Sequence, residues 1–215
     1  MKIRKLFFLK RYVLKQFYII LNLLKFRILG IKYGANLRAY SQIFLDIHSD
    51  SIVEIGKCVT MTSGKSYNPL ARNLISSLCT EREGTILKIG DYTGISSSCI
   101  WAKLKIVIGN YVNIGADTII MDSDAHSLDW KIRSSRKCNS QGESLDIITS
   151  KCAPIIIEDY VFIGTKCIIL KGVTIGARSI IAAGSVVTHS IPCDSIAAGN
   201  PCKVIKKLVN KSILR

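Results

Sequence analysis

Residues 157–187 read IEDYVF-IGTKCI-ILKGVT-IGARSI-IAAGSV-V, which puts an aliphatic side chain at Ile157, Ile163, Ile169, Ile175, Ile181 and Val187. Four positions after the first five stand Val161, Cys167, Val173, Ser179 and Ser185, all compact enough for a tight corner. A helix repeats its apolar face at steps of three and four and a flat strand at steps of two, so neither template fits a step of six. The period is that of a solenoid in which each hexapeptide supplies one short strand and one turn, and three of them close a triangular coil. Successive coils stack as parallel strands roughly 4.8 Å apart, each with its aliphatic residue inside. Gly164 and Gly176, directly after an aliphatic slot, suit backbone positions that a Cβ would crowd.

Working outward, the period predicts a first turn over Ile47–Met61, around Val53-Glu54-Ile55-Gly56, and a projecting loop over 62–85. It resumes at Ile89 and Ile95, with Thr93 and Cys99 at the corners, and gives Trp101 the next aliphatic slot. After one inserted residue it continues at Ile108, Ile114 and Ile120, with Val112 and Thr118 at the corners, and calls for an aliphatic residue at 126. The residue there is His126, and the chain then runs through 127–153 without the period before Ile157 restores it. A polar break in a regular array marks function, and a long loop on a rigid scaffold suits a lid or binding wall.

His126 lies in Asp122-Ser123-Asp124-Ala125-His126. An imidazole titrates near neutrality, and a carboxylate on one ring nitrogen fixes the tautomer that leaves the other as a base. If the segment is extended, Asp122, Asp124 and His126 share one face, which makes Asp124 the expected partner. Trp130, Arg133, Arg136 and Lys137 in the excursion would suit a polar or anionic sugar.

The run from Ile175 to Lys206, IGARSIIAAGSVV followed by SIAAGNPCKVIKK, resembles the hexapeptide-repeat acyltransferases, the family of the galactoside, maltose, xenobiotic and polysaccharide O-acetyltransferases. The resemblance implies an all-β solenoid, a left-handed parallel β-helix, assembled as a homotrimer, with acetyl-coenzyme A as donor and no metal. It implies that His126 is the catalytic base. Ser97, with Ser96 and Ser98, falls about one coil upstream, where galactoside-type members carry asparagines, and is the candidate oxyanion donor. Phe162 stands where relatives often have a tryptophan near the reactive centre. Thr165, Ala183 and Thr188 match positions that line the pantetheine groove, and Lys203 and Lys206 match basic residues near the coenzyme's phosphates. His189 replaces a lysine of the galactoside type. The expected reaction is acetyl transfer to a sugar hydroxyl of a surface polysaccharide or its lipid-linked precursor, with a xenobiotic or amino-sugar acceptor as the alternative. A carbonic-anhydrase-like zinc site would need three histidines from adjacent coils. His48, His126 and His189 are spread from the first coil to the last. A passive scaffold would explain neither His126 nor the excursion.

The chain of 215 residues carries a net charge of +15, with ten Lys or Arg and no acidic residue in 1–45. No nucleic-acid motif accompanies this charge, so an anionic membrane surface is the expected partner rather than nucleic acid. Residues 1–35 read as a basic amphipathic helical segment, 36–206 as the solenoid domain and 207–215 as a short tail. The longest charge-free run of the first segment, Gln16 to Leu24, is too short to span a bilayer, and Lys10, Arg11 and Lys15 interrupt any signal-peptide core. The segment is expected either to lie in the membrane interface through residues 1–30 or to cap the solenoid. Eight cysteines without CxxC pairs read as reduced, buried and cytoplasmic.

Overall fold

A computed structural model describes residues 2–64, 66–71 and 73–208. Among the described residues twenty strands, all short, form three sheets that are the faces of a prism. Face A stacks Lys32–Tyr33, Ile52–Ile55, Ile86–Ile89, Lys105–Ile108, Ile155–Ile157 and Thr174–Ile175. Face B stacks Arg38–Tyr40, Thr60–Thr62, Gly94–Ser96, Asn113–Ile114, Phe162–Ile163, Ile180–Ile181 and Ser195–Ala198, with Lys203–Lys207 turned back antiparallel at its end. Face C stacks Ile43–Ile47, Ser76–Thr80, Cys99–Ala102, Ile119–Met121, Ile168–Leu170 and Val186–Val187. The chain visits A, B and C in turn, so up to that final antiparallel strand every neighbour on a face is parallel and one coil away.

The six-residue period is the inside of this prism. Ile55, Ile89, Ile108, Ile157 and Ile175 sit in one register column on face A and are all buried. Met61, Ile95, Ile114, Ile163 and Ile181 do the same on face B, as do Leu78, Ile100, Ile120, Ile169 and Val187 on face C. Each such side chain withdraws enough apolar area to stabilise the fold by roughly 1.5–3 kcal/mol. Polar corner residues bond to the coil above: Thr93 Oγ1 donates to Gly109 O at 2.8 Å and Thr118 Oγ1 to Gly164 O at 3.1 Å. Gly164 has no room for a side chain, since a Cβ would lie 2.5 Å from Ala183 N.

Where A meets B, the side chains of Asp91, Asn110 and Asp159 each accept from the backbone N–H one coil below, at 2.7–2.9 Å. Beside them Tyr92, Tyr111 and Tyr160 stack at 4.8 and 5.0 Å, the spacing of the coils, each in a left-handed conformation at φ 55–60°.

Three local expectations change. Ile100, not Trp101, fills the slot on face C, because the corner after Ile95 is one residue shorter than the period; Trp101 points outward, 37% exposed. The segment 62–85 is not all loop, since Ser76–Thr80 forms the second strand of face C. The cysteines are unpaired, but only Cys167 and Cys202 are buried, while Cys138 and Cys193 are exposed. Lys207 ends the last strand, and the rest of the tail except Leu208 lies outside the described residues.

A helix, α1 (Lys2–Ile28), precedes the first coil, whose strand Lys32–Tyr33 falls inside the segment 1–35. Its C-terminal half is fixed by Phe26, fully buried, and by Asn22, whose Nδ2 donates to Ala39 O and Ser41 O at 3.0 and 2.8 Å. Gly30 at φ 69° ends it, with Ile31 N donating to Phe26 O.

Candidate active site

The chain leaves the prism after the face C strand Ile119–Met121 and re-enters at Ile155, so the excursion springs from the edge where C meets A. The neck is fixed by Asp122, fully buried, whose carboxylate accepts from the N–H groups of Lys103, Leu104 and Lys105 at 2.6–2.8 Å. Ala153 N donates to Asp122 O at 3.0 Å, and Ser123 bridges Cys152. Within the excursion lie two short helices, α2 (Trp130–Ser135) and α3 (Leu145–Ile148). Asp129 caps α2 by accepting from Lys131 N at 2.8 Å.

Asp124 is not the partner of His126. Ala125 takes φ 59°, which turns the chain and removes the shared face that an extended segment would give. Asp124 instead meets Lys171 Nζ at 2.5 Å. The carboxylate on His126 comes from α3: Asp146 Oδ2 stands 2.7 Å from His126 Nδ1, and Asp146 Oδ1 accepts from Ser127 N at 2.8 Å. The hydrogen bond with His126 holds the Asp146 carboxyl below the usual carboxylate range, so it is ionised and only accepts. A carboxylate so placed takes its hydrogen bond from Nδ1–H, and in the neutral imidazole that tautomer leaves the lone pair on Nε2. His126 is 64% exposed, and Nε2 bonds to nothing among the described residues. An imidazole held in this way and open to solvent is able to act as a general base.

One residue that the sequence does not advertise holds this pair in place. Lys103, only 2% exposed, sends its ammonium to Ile147 O at 2.5 Å and Ser150 Oγ at 2.7 Å, and lies 3.1 Å from Glu81 Oε1. It ties the C-terminal end of α3 to the coil below, and α3 carries Asp146.

The other predicted residues fall into two sets. Thr188 and His189 follow the last strand of face C, on the same edge as His126, with Thr188 Oγ1 2.8 Å from His189 Nδ1. Phe162 lies on the outer surface of face B, about half exposed, and Ser97, Thr165 and Ala183 lie where B turns into C. The width of face C separates the two sets within one protomer. Ser97 is buried, its Oγ accepts from Gly64 N at 2.9 Å and its own N–H goes to Thr62 O. By contrast, the N–H groups of Thr165 and Ala183, one coil apart, donate to no acceptor among the described residues. Lys203 and Lys206 are exposed on the terminal strand beside Ser195–Ala198. Trp130 is exposed on α2. Among the described residues no group of three His, Cys, Asp or Glu could hold a metal ion.

The profile of the hexapeptide repeat of succinyl-transferase matches residues 154–189. The crystal structure of the hexapeptide-repeat containing acetyltransferase VCA0836 from Vibrio cholerae superposes with a TM-score of 0.52 at 25% identity, over 88% of this chain and 80% of that one. This chain carries the hexapeptide repeat and is similar to acetyltransferases that contain it. The hexapeptide-repeat likeness also gives the coil its sense, a left-handed parallel β-helix. The Schizosaccharomyces pombe protein C18B11.09c, which bears the name of an acetyltransferase, is 41% identical over 115 residues, 53% of this hexapeptide-repeat chain and 49% of its own length. The 2,3,4,5-tetrahydropyridine-2,6-dicarboxylate N-acetyltransferase of Staphylococcus aureus is 52% identical over 54 residues, 25% of this chain and 23% of its own. The matches thus span about half or less of these curated relatives. VCA0836 has also been solved with acetyl coenzyme A bound.

Proposed function

We propose that this protein transfers an acetyl group from acetyl-coenzyme A directly to a sugar hydroxyl of a surface polysaccharide or its precursor. The observation that carries the reading is the His126–Asp146 pair, whose bonding leaves Nε2 as an open base. Nε2 takes the hydroxyl proton as the oxygen attacks the thioester carbonyl. The tetrahedral intermediate then collapses, the carbon–sulfur bond breaks, and the thiolate recovers the proton from the imidazolium. No acyl-enzyme forms. The N–H groups of Thr165 and Ala183, which have no partner among the described residues, are suited to the donor's carbonyls or to the developing oxyanion. They sit across face C from His126, so the complete site needs a second protomer. A ring of three copies supplies it, because a closed heterologous contact sets one surface of each protomer against a different surface of the next. In this assembly Phe162 and the pantetheine-lining edge of one protomer face His126 of its neighbour. Exposed Trp130 offers a flat surface for a sugar ring. Eight unpaired thiols suit a cytoplasmic enzyme.

Thiol release from acetyl-coenzyme A, screened over a panel of acceptor sugars, tests the activity. In the reaction so found, His126→Ala should lose about 10²–10⁴ in kcat while keeping the trimer and coenzyme binding. Activity within about threefold of the parent would remove His126 from the mechanism. The similarity to an N-acetyltransferase favours an amine acceptor as the second reading. Product cleavage by hydroxylamine distinguishes them: an ester is cleaved and an amide is not.

A further inference from the structure

We infer that α1 docks the protein on an anionic bilayer by lying in its interface. From Phe7 to Leu14 every residue of the helix is exposed. Beyond that point Ile19, Asn22 and Phe26 turn toward the solenoid, and the opposite face carries Val13, Phe17, Ile20, Leu24 and Ile28, each more than half exposed. Spacings of four, three, four and four residues make these five side chains one continuous stripe. Ile20 and Leu24 border a small pocket with Tyr33, and all five side chains stay largely open to solvent. Lys10 and Arg27 flank it, and on the side facing the loop after Thr60–Thr62 the Arg11 guanidinium stands 5.6 Å over the Tyr67 ring and the Lys15 ammonium 4.4 Å over the Tyr40 ring. A cavity of about 650 Å³ opens there between α1 and that loop, walled by Phe7, Leu14, Tyr18 and Tyr67.

Charge chooses the occupant. Residues 1–45 hold ten Lys or Arg and no acidic residue, so laying this stripe against a second copy would oppose two sets of cations with no counter-charge. Anionic headgroups supply the counter-charge, and the acyl region beneath them takes the apolar side chains. The helix does not cross the bilayer: among the described residues no helix is long and apolar enough to do so. An apolar stripe bordered by cations, on a helix of 27 residues, has the make-up of an interfacial helix. The inference is independent of the catalytic reading, because vesicle binding requires no turnover.

The test is co-sedimentation of the full chain with vesicles of phosphatidylcholine alone or with about one third phosphatidylglycerol. Binding should appear only with the anionic vesicles and weaken as salt is raised. Lys10→Gln with Arg11→Gln should lower partitioning roughly thirtyfold. Phe17→Asp with Ile20→Asp should abolish it while leaving coenzyme A binding and the melting transition in place, since neither side chain enters the core. If the aspartate pair unfolds the chain, the glutamine pair decides. Equal sedimentation with both kinds of vesicle, or unchanged binding by either double variant, would overturn the inference. So would an assembly that the aspartate pair breaks up in sedimentation velocity without vesicles, because the stripe would then belong to a second copy.

Discussion

Asp146→Asn is the substitution that most directly tests how the base is held. In the parent, the two carboxylate oxygens each accept one hydrogen bond, Oδ2 from His126 Nδ1 at 2.7 Å and Oδ1 from Ser127 N at 2.8 Å. Asparagine has one oxygen and one NH₂ in the same place, so it cannot accept both. If its oxygen keeps the Ser127 N–H, its NH₂ faces Nδ1 and selects the tautomer protonated at Nε2, which is no base. If its oxygen keeps His126, its NH₂ opposes the Ser127 N–H and the turn carrying His126 loosens. Either outcome forfeits most of the general-base contribution, about 10²–10⁴ in rate, while the imidazole itself remains. The expected loss in kcat is therefore about 10²–10³, with KM for acetyl-coenzyme A within about twofold. The assay is steady-state thiol release with the acceptor found by screening, run on the parent, Asp146→Asn, His126→Ala and the double variant. Because Asp146 acts only through the imidazole, Asp146→Asn should cost nothing further in the His126→Ala background. A kcat within threefold of the parent for Asp146→Asn, or an additive loss in the double variant, would refute the reasoning.

Three other outcomes follow from the same coordinates. Lys103→Met removes the ammonium from Ile147 O and Ser150 Oγ and leaves the Glu81 carboxylate, mostly covered, without its cation. It should destabilise the protein by about 3 kcal/mol in urea unfolding and lower kcat, with Lys103→Arg partly restoring both. Gly164→Ala forces a Cβ to within 2.5 Å of Ala183 N, and overpacking of this kind should cost about 1–3 kcal/mol, read as a lower melting temperature. Asp194 is held below its ordinary pKa by the paired hydrogen bonds of the Arg178 guanidinium, at 2.6 Å each. A carboxyl whose folded pKa is depressed contributes stability above its unfolded pKa of about 4 and loses it as pH falls through the lower folded value. The stability difference between the parent and Arg178→Gln should thus be constant from about pH 5 to 7 and shrink toward zero below about pH 3; a difference that persists in acid would show that Arg178 acts by packing.

The sequence makes the inside of this protein legible and much of its outside not. A six-residue period survives in the columns of Ile, Leu, Met and Val because every interior slot touches the slots one coil above and below, and a polar or oversized residue there disturbs both. His126 shows up for the same reason, as the slot where the column fails. Outward positions answer to no such neighbours, so Trp101 could take a slot on paper while Ile100 filled it in the fold. Asp146 was out of reach because its approach depends on a turn at Ala125 and a helix inside an aperiodic excursion, neither of which leaves a period to count. Nor did the sequence show the lysine beneath α3, whose partners Ile147 and Ser150 stand more than forty residues away.

One signal was present and went further than the period alone. Three hexapeptides make a coil, so slots eighteen residues apart lie on the same face, and Thr165 and Ala183 differ by eighteen. Val187 follows Ile169 by eighteen, which puts Thr188 and His189 on the edge after face C, the edge from which the chain departs toward His126. Counting in eighteens therefore separates the proposed thioester-binding positions from the base before any coordinates are known. It leads from a pattern of isoleucines to a statement about assembly: the proposed base and the proposed donor groove lie on different edges of one rigid prism and can meet only across a contact between copies. Mixing His126→Ala protomers with protomers disabled at the groove, for example by Ala183→Trp, should then restore part of the activity that each lacks alone, in proportion to the contacts that pair one intact edge with the other. A mixture as inactive as its components, shown by native mass spectrometry to have exchanged subunits, would place the whole site within one protomer.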